Sequence, residues 1–298
     1  MLANSGLVRV PAVETHLMLE LESVRKTYGA CLAVDALNLQ IRQGEIFGLL
    51  GPNGAGKTTT IHLIAGLLQP DGGAIRIGGS GSPSDPAIRL RLGIAPQMLS
   101  HYEFLSAREN LGFFGRLYGL RGRRLSERVF AALAFVGLEN QKGQAVRTFS
   151  GGMKRRLNLA IAIVHDPEII LLDEPTAGVD PQSRNAIYEN ILALKRQGRT
   201  LIYTTHYMEE AQRLCDRVGI LDHGRLLALD TVAGLIQTHA GAATLIVSRG
   251  DQEIRMCTPE PLAVLNELAR EAPVDRFRLE QATLEQVFLQ LTGRTLRD

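Results

Sequence analysis

The strongest chemical signal in the chain is Gly51-Pro52-Asn53-Gly54-Ala55-Gly56-Lys57-Thr58. The run fits G-x-x-x-x-G-K-[ST], the pattern of a phosphate-binding loop. Its glycines let the backbone curl until successive N–H groups face one anion. A helix starting at the same place adds positive potential. Lys57 is placed to reach the β- and γ-phosphates of a nucleoside triphosphate and Thr58 to hold Mg2+, with Thr59 extending the loop into the helix. Phosphoryl transfer of this kind needs positioning and charge neutralisation more than covalent chemistry.

Farther on, Ile169-Ile170-Leu171-Leu172-Asp173-Glu174 is an apolar run ending in two carboxylates. The tips of buried parallel strands line nucleotide crevices. Asp173 is expected to bind Mg2+ through water, and Glu174 to act as general base on an attacking water. Phe149-Ser150-Gly151-Gly152-Met153 is a second candidate anion site. Ser150 suits an N-cap and the glycines expose helix-terminal N–H groups, although a plain capped helix has the same local pattern.

These residues need rigid elements to hold them. Glu45–Leu50 reads as a buried strand feeding the phosphate loop, and Lys57–Leu67 as the helix after it. Leu17–Val24 and Ala33–Ile41 alternate like antiparallel strands, and Ile75–Ile77 and Gly93–Ala95 are shorter ones. From about residue 99 to residue 147 helical patterns dominate. Ser106-Ala107-Arg108-Glu109 is a capping box opening a helix with Leu111, Phe113 and Phe114. The basic turn Arg121–Arg124, read as a solvated face, precedes a second helix, Ser126–Val136. The α/β pattern then resumes with strands at Glu168–Leu172, Thr200–Thr204, Val218–Leu221 and Arg225–Ala228. Asp180-Pro181 starts a helix that Gly198 ends. Beyond Gly241 a small α+β unit is expected: strands Ala243–Ser248 and Glu253–Cys257, helix Pro261–Arg270, an extended Arg276–Glu280, and a last helix capped by Thr283 and Gln286. Residues 1–16 read as a flexible leader.

Composition narrows the class. Hydrophobic residues make up 45% of the 298 and charged ones 21%, so a sizeable core is available. The net charge of +2 gives no case for a nucleic-acid binder. Cys31, Cys215 and Cys257 are scattered and form no CxxC, so semi-buried free thiols are expected rather than a zinc or disulfide framework. No apolar run reaches the ~18–20 residues of a membrane span, and the N-terminus lacks a signal-peptide layout.

Taken together, and in this order along the chain, these motifs resemble the ABC ATPase family from Leu17 to about Ala240. The signature LSGGQ stands here as FSGGM, with the hydroxyl and glycines kept. The resemblance implies a P-loop NTPase fold of class α/β: a RecA-like core with an antiparallel β subdomain and an inserted helical subdomain, plus the small C-terminal unit. It implies that Gln97 (in GIAPQ) is the Q-loop residue touching Mg2+ and the lytic water. Ala177–Asp180 then corresponds to the D-loop, His206 (in YTTH) to the switch histidine at the γ-phosphate, and Tyr28 (in RKTYG) to the aromatic stacked on adenine. It further implies a head-to-tail homodimer in which Ser150, Gly151 and Gly152 of one copy complete the ATP site of the other.

SGGMKRR, TTHYMEEA and TLEQVFLQLTGR resemble the branch serving ABC-2-type exporters, drug-resistance and nodulation-factor exporters among them. The partner implied is a separately encoded integral-membrane permease, docked near Leu99–Phe114 at the cytoplasmic face of the cell membrane. A family member acting on nucleic acid or ribosomes, a nucleotide sensor that binds without hydrolysis, and an importer ATPase stay open as alternatives.

Overall fold

The computed structural model describes residues 16–240, 243–250, 252–280 and 282–293. The expected leader lies outside them apart from His16, whose carbonyl accepts from the Gln43 amide at 2.9 Å. The chain opens with a long hairpin, β1 (Leu17–Tyr28) and β2 (Cys31–Arg42), then enters β3 (Ile46–Leu50) and α1 (Lys57–Ile64). β4 (Gly72–Ile77) returns to pair antiparallel with β1, giving a sheet in the order β2-β1-β4. The hairpin runs farther at both ends than hydrophobic alternation suggested, because irregular register at Val24 and Lys26 interrupts the alternation without ending the pairing.

α1 ends three residues earlier than its apolar pattern. Gly66 adopts φ +69° in the left-handed region, and the Leu67 amide bonds back to the His62 carbonyl at 2.9 Å. A side chain at Gly66 would meet the Pro83 carbonyl oxygen at 2.3 Å, so chain packing and helix termination use the same glycine.

After the short α2 (Pro86–Arg89) comes β5 (Leu92–Ala95), then the helical insertion with α3 (Ala107–Leu117) and α4 (Gly122–Phe135). The Ser106/Glu109 capping box forms as read. The second helix, by contrast, starts at Gly122, so the basic cluster is not a separate turn before it. Arg121 occupies its N-cap position, and Arg123 and Arg124 lie in its first turn. Arg121 is also not merely solvated. Its Nη1 donates to the Arg116 and Leu120 carbonyls at 2.8 and 2.9 Å, a cation satisfying the C-terminal end of α3.

α5 (Gly151–Ile163), β6 (Ile169–Asp173), α6 (Pro181–Arg196), β7 (Thr200–Thr205), α7 (Met208–Leu214), β8 (Arg217–Asp222) and β9 (Arg225–Thr231) complete the α/β core. The large sheet has the order β5-β6-β7-β3-β8-β9, parallel except for β9. β3, β6 and β7 are buried at every position, which is why β3 and β6 read as near-continuous apolar runs rather than alternating ones, while the threonine hydroxyls of β7 at Thr204 and Thr205 are hydrogen-bonded inside the core.

α8 (Val232–Leu235) leads into a three-stranded antiparallel sheet, β11-β10-β12, built from β10 (Thr244–Arg249), β11 (Gln252–Cys257) and β12 (Arg276–Glu280), with α9 (Pro261–Glu271) between the last two. α10 (Leu284–Thr292), capped by Thr283 and Gln286, packs away from that sheet. Its Leu284, Val287 and Phe288 are buried with Leu50, Ala211, Val218 and Ile220 of the core. The thiols also differ from the sequence expectation: Cys31 and Cys257 are exposed, and Cys215 alone is half-buried, its thiol pushed up by burial.

Candidate nucleotide-binding site

β3 ends at Leu50 and the chain turns at once through Gly51. A Cβ there would meet the Leu221 carbonyl oxygen at 2.3 Å, so the loop lies directly on β8. Gly54 and Gly56 hold φ +81° and +100°. At Gly56 a Cβ would also strike the Ala33 carbonyl oxygen at 2.4 Å. Only glycine meets both demands, and α1 begins at the next residue.

Lys57 is buried and its ammonium folds back into the loop, donating to the Gly51 and Pro52 carbonyls at 2.7 and 3.1 Å. It also lies 3.3 Å from Glu174 Oε1. Burial pulls its basicity down, and the Glu174 carboxylate works in the opposite direction.

Glu174 sits just past the β6 tip with φ +45°, a left-handed conformation uncommon for any residue but glycine. Thr204, on β7, holds it there: the hydroxyl accepts from the Glu174 amide at 3.0 Å and donates to Asp173 Oδ1 at 2.6 Å. Gln97 Nε2 donates to Glu174 Oε2 and His206 Nδ1 to Oε1, each at 3.2 Å. Lys57 at the start of α1, Gln97 after β5 and His206 after β7 therefore converge on one carboxylate. Strain at such a residue persists only where its surroundings over-determine it, as here.

A cavity of about 410 Å³ opens over the loop. Asn53, Gly54, Ala55, Gly56, Lys57, Thr58, Thr59, Gln97, Glu174 and Tyr28 line it. Of the remaining expected residues, Gly51 and Asp173 are buried beneath it, Pro52 sits in the loop, and His206 reaches it through Glu174. Ser150, Gly151 and Gly152 do not line it. They form the start of α5, where Ser150 caps the Met153 amide at 3.2 Å. Gly152 abuts the start of α6, since a Cβ there would lie 2.1 Å from Ser183 Oγ. Asp180 caps that helix, and the Ser183 N–H holds its carboxyl below the usual range.

Sequence reasoning missed Arg155. Its guanidinium donates to the Gln97 carbonyl at 2.6 Å and to the Ala177 carbonyl at 3.2 Å, joining α5 to the loops on either side of Glu174. A basic run in a helix, Lys154 to Arg156, carries no local sign of such a clamp. The lining residues Cys31, Leu32 and His223 were missed for the same reason: only the tertiary fold brings them to the loop.

With this geometry in view, residues 34–177 match the family model for the ABC transporter. The linearmycin resistance ATP-binding protein of Bacillus subtilis is 40% identical over 94% of this chain and all of its own length. The Nod factor export ATP-binding protein I of Cupriavidus pinatubonensis is 40% identical over 97% of this chain and 95% of its own. This chain belongs to the ABC transporter ATPase family. Among solved structures, an ATP-binding subunit of an ABC transporter covers 74% of this chain and 92% of its own at 31% identity, with a TM-score of 0.67. A cassette solved as a dimer in a post-hydrolysis state with ADP and Pi covers 72% and 98% at 27% identity, TM-score 0.66. As a member of this family the protein binds and hydrolyses ATP, and its full-length relatives make it the ATPase of an export transporter rather than an importer ATPase or a nucleic-acid enzyme.

Proposed function

We propose that two copies of this chain close head to tail on two ATP molecules and drive a separately encoded ABC-2-type permease from the cytoplasmic side of the cell membrane. The observation that carries the chemistry is the convergence of Lys57, Gln97 and His206 on the Glu174 carboxylate.

In this reading the phosphate loop from Gly51 to Thr59 wraps the triphosphate and Tyr28 stacks on adenine. A γ-phosphate draws the Lys57 ammonium off Glu174, leaving that carboxylate free to take a proton from water. The water oxygen then bonds to the γ-phosphorus, and the bond to the β–γ bridging oxygen breaks. His206 and Gln97 orient the carboxylate and the γ-phosphate. The hydroxyl of Thr58, the Asp173 carboxylate and the Gln97 amide oxygen are hard oxygen donors of the kind Mg2+ takes. They fit a site in which substrate phosphates supply the rest of the shell, and among the described residues no group of three His, Cys, Asp or Glu could hold a metal alone. Held by these groups, Mg2+ would supply positive charge that offsets the negative charge developing on the transferring phosphoryl group.

Ser150, Gly151 and Gly152 are free of the cavity of their own chain, and Ser150 and Gly151 are exposed, which supports their use by a partner copy. Such a dimer makes residues 17–240 the motor and residues 241–298 an accessory part. No described helix is long and apolar enough to cross a membrane. A groove of about 680 Å³ between α3 and α4, lined by Leu105, Phe113, Leu125, Val129 and Phe130, suits a permease helix, with Phe104 85% exposed.

The test is Glu174→Gln at saturating Mg-ATP. Dimers that accumulate without phosphate release are expected by size-exclusion chromatography. A variant that stays monomeric overturns the head-to-tail reading.

A further inference from the structure

Glu210 lies in the first turn of α7 and is 2% exposed. Its carboxylate is held by four hydroxyls. Oε1 accepts from Thr176 Oγ1 at 2.6 Å and Tyr188 OH at 2.9 Å, and Oε2 from Tyr203 OH at 2.8 Å and Thr205 Oγ1 at 2.7 Å. An ionised carboxylate is acceptor-only with about four lone-pair sites, so this set saturates it. No other common side chain of that size can accept from all of them.

The donors come from places that matter to hydrolysis. Thr176 stands two residues after Glu174, and Thr205 immediately precedes His206. Thr205 Oγ1 also accepts from the Tyr207 amide at 2.9 Å, so it pins both sides of the histidine. Its neighbour Thr204 faces the opposite way along β7, toward Asp173 and the Glu174 amide. The β7 tip is thus bolted to Glu174 on one face and to Glu210 on the other. Tyr203 and Tyr188 hang the same carboxylate on β7 and α6.

We propose that Glu210 is a positioning residue that fixes the segment after Glu174 and the His206 loop in mutual register, so that base and histidine meet the γ-phosphate together. This rests on the assignment of Glu174 and His206 made above. Small displacements of reacting groups cost rate rather than affinity, by up to about 100-fold per ångström.

Glu210→Gln keeps the shape but withdraws acceptors, and Thr176→Val severs the strut to the Glu174 segment together with the 3.3 Å hydroxyl contact between Thr176 and Tyr203. Each is expected to lower kcat for ATP at least ~10-fold with KM within about twofold, and the double variant to be no worse than the single ones. Tyr188→Phe, which cuts only the strut to α6, is expected to lower the unfolding temperature with kcat within about twofold. Wild-type kcat in Glu210→Gln or Thr176→Val overturns the proposal. So does a loss of kcat in all three variants that merely follows their unfolding temperatures. Glu174→Gln in the same assay separates the two readings: if it hydrolyses ATP normally, the assignment of the base has failed, whereas a dead Glu174→Gln beside a fully active Glu210→Gln condemns the positioning role alone.

Discussion

The Lys57 ammonium and the Glu174 carboxylate face each other at 3.3 Å with side-chain exposures of only 5% and 8%. The pair links the start of α1 to the tip of β6, and each charge is the other's replacement for water. Removing the lysine takes the cation from a buried carboxylate and leaves it only the Gln97 and His206 donors. Lys57→Ala is expected to lose measurable nucleotide binding in a fluorescent-ATP titration and to destabilise the fold by about 3 kcal/mol in urea denaturation. Unchanged affinity would contradict the role of the loop.

Two glycines of that loop separate backbone conformation from packing. Gly54 has open space where a Cβ would go, whereas Gly56 faces the Ala33 carbonyl. Gly54→Ala should cost only the left-handed backbone penalty, roughly 1 kcal/mol, and Gly56→Ala should cost about 3 kcal/mol and abolish ATP binding. Thermal unfolding of both variants side by side checks the order.

A glycine at the proposed dimer seam gives a cleaner probe. Gly151 has nothing within 4 Å of a built Cβ, so Gly151→Asp should fold with a normal unfolding temperature. Its carboxylate would repel a γ-phosphate, and phosphate release should drop at least ~100-fold. Normal hydrolysis by Gly151→Asp would remove the signature residues from the ATP site.

His165 sets part of the acid stability. Its ring stacks on Tyr118 at 3.5 Å, and Nε2–H donates to the Leu92 carbonyl at 3.0 Å. Burial, assisted by the Arg128 charge, lowers its pKa from 6.5 to about 4. The folded value lies below the unfolded one, so this contribution is complete above pH 6.5 and is lost as pH falls through about 4. His165→Phe should flatten the stability loss over that window by up to about 3 kcal/mol, read by denaturant titration at several pH values. An unchanged acid limb would assign the loss to other groups.

The last helix is expected to behave as part of the core. Phe288 is 1% exposed against residues around Leu50, the residue that enters the phosphate loop. Phe288→Ala should cost about 3–5 kcal/mol of the main unfolding transition. A separate, early transition for the C-terminal segment would show that α10 docks only loosely.

What the amino-acid order settled alone was whatever its neighbours in the chain could enforce. The phosphate loop is contiguous, so glycine spacing and a lysine suffice to read it. The caps at Ser106, Asp180 and Thr283 bond within three residues, and all form as written. The buried strands β3 and β6 announce themselves because parallel strands covered on both faces are near-continuously apolar. The tertiary structure decided everything that depends on distant partners. It set Ala33 against Gly56 and placed the Arg155 clamp behind Glu174. It gathered four hydroxyls around Glu210, and it carried α10 past its own sheet onto the core. None of these has a periodicity or spacing, because hydrogen bonds and close packing act through space. A residue's partners are chosen by the strand order that brings them together.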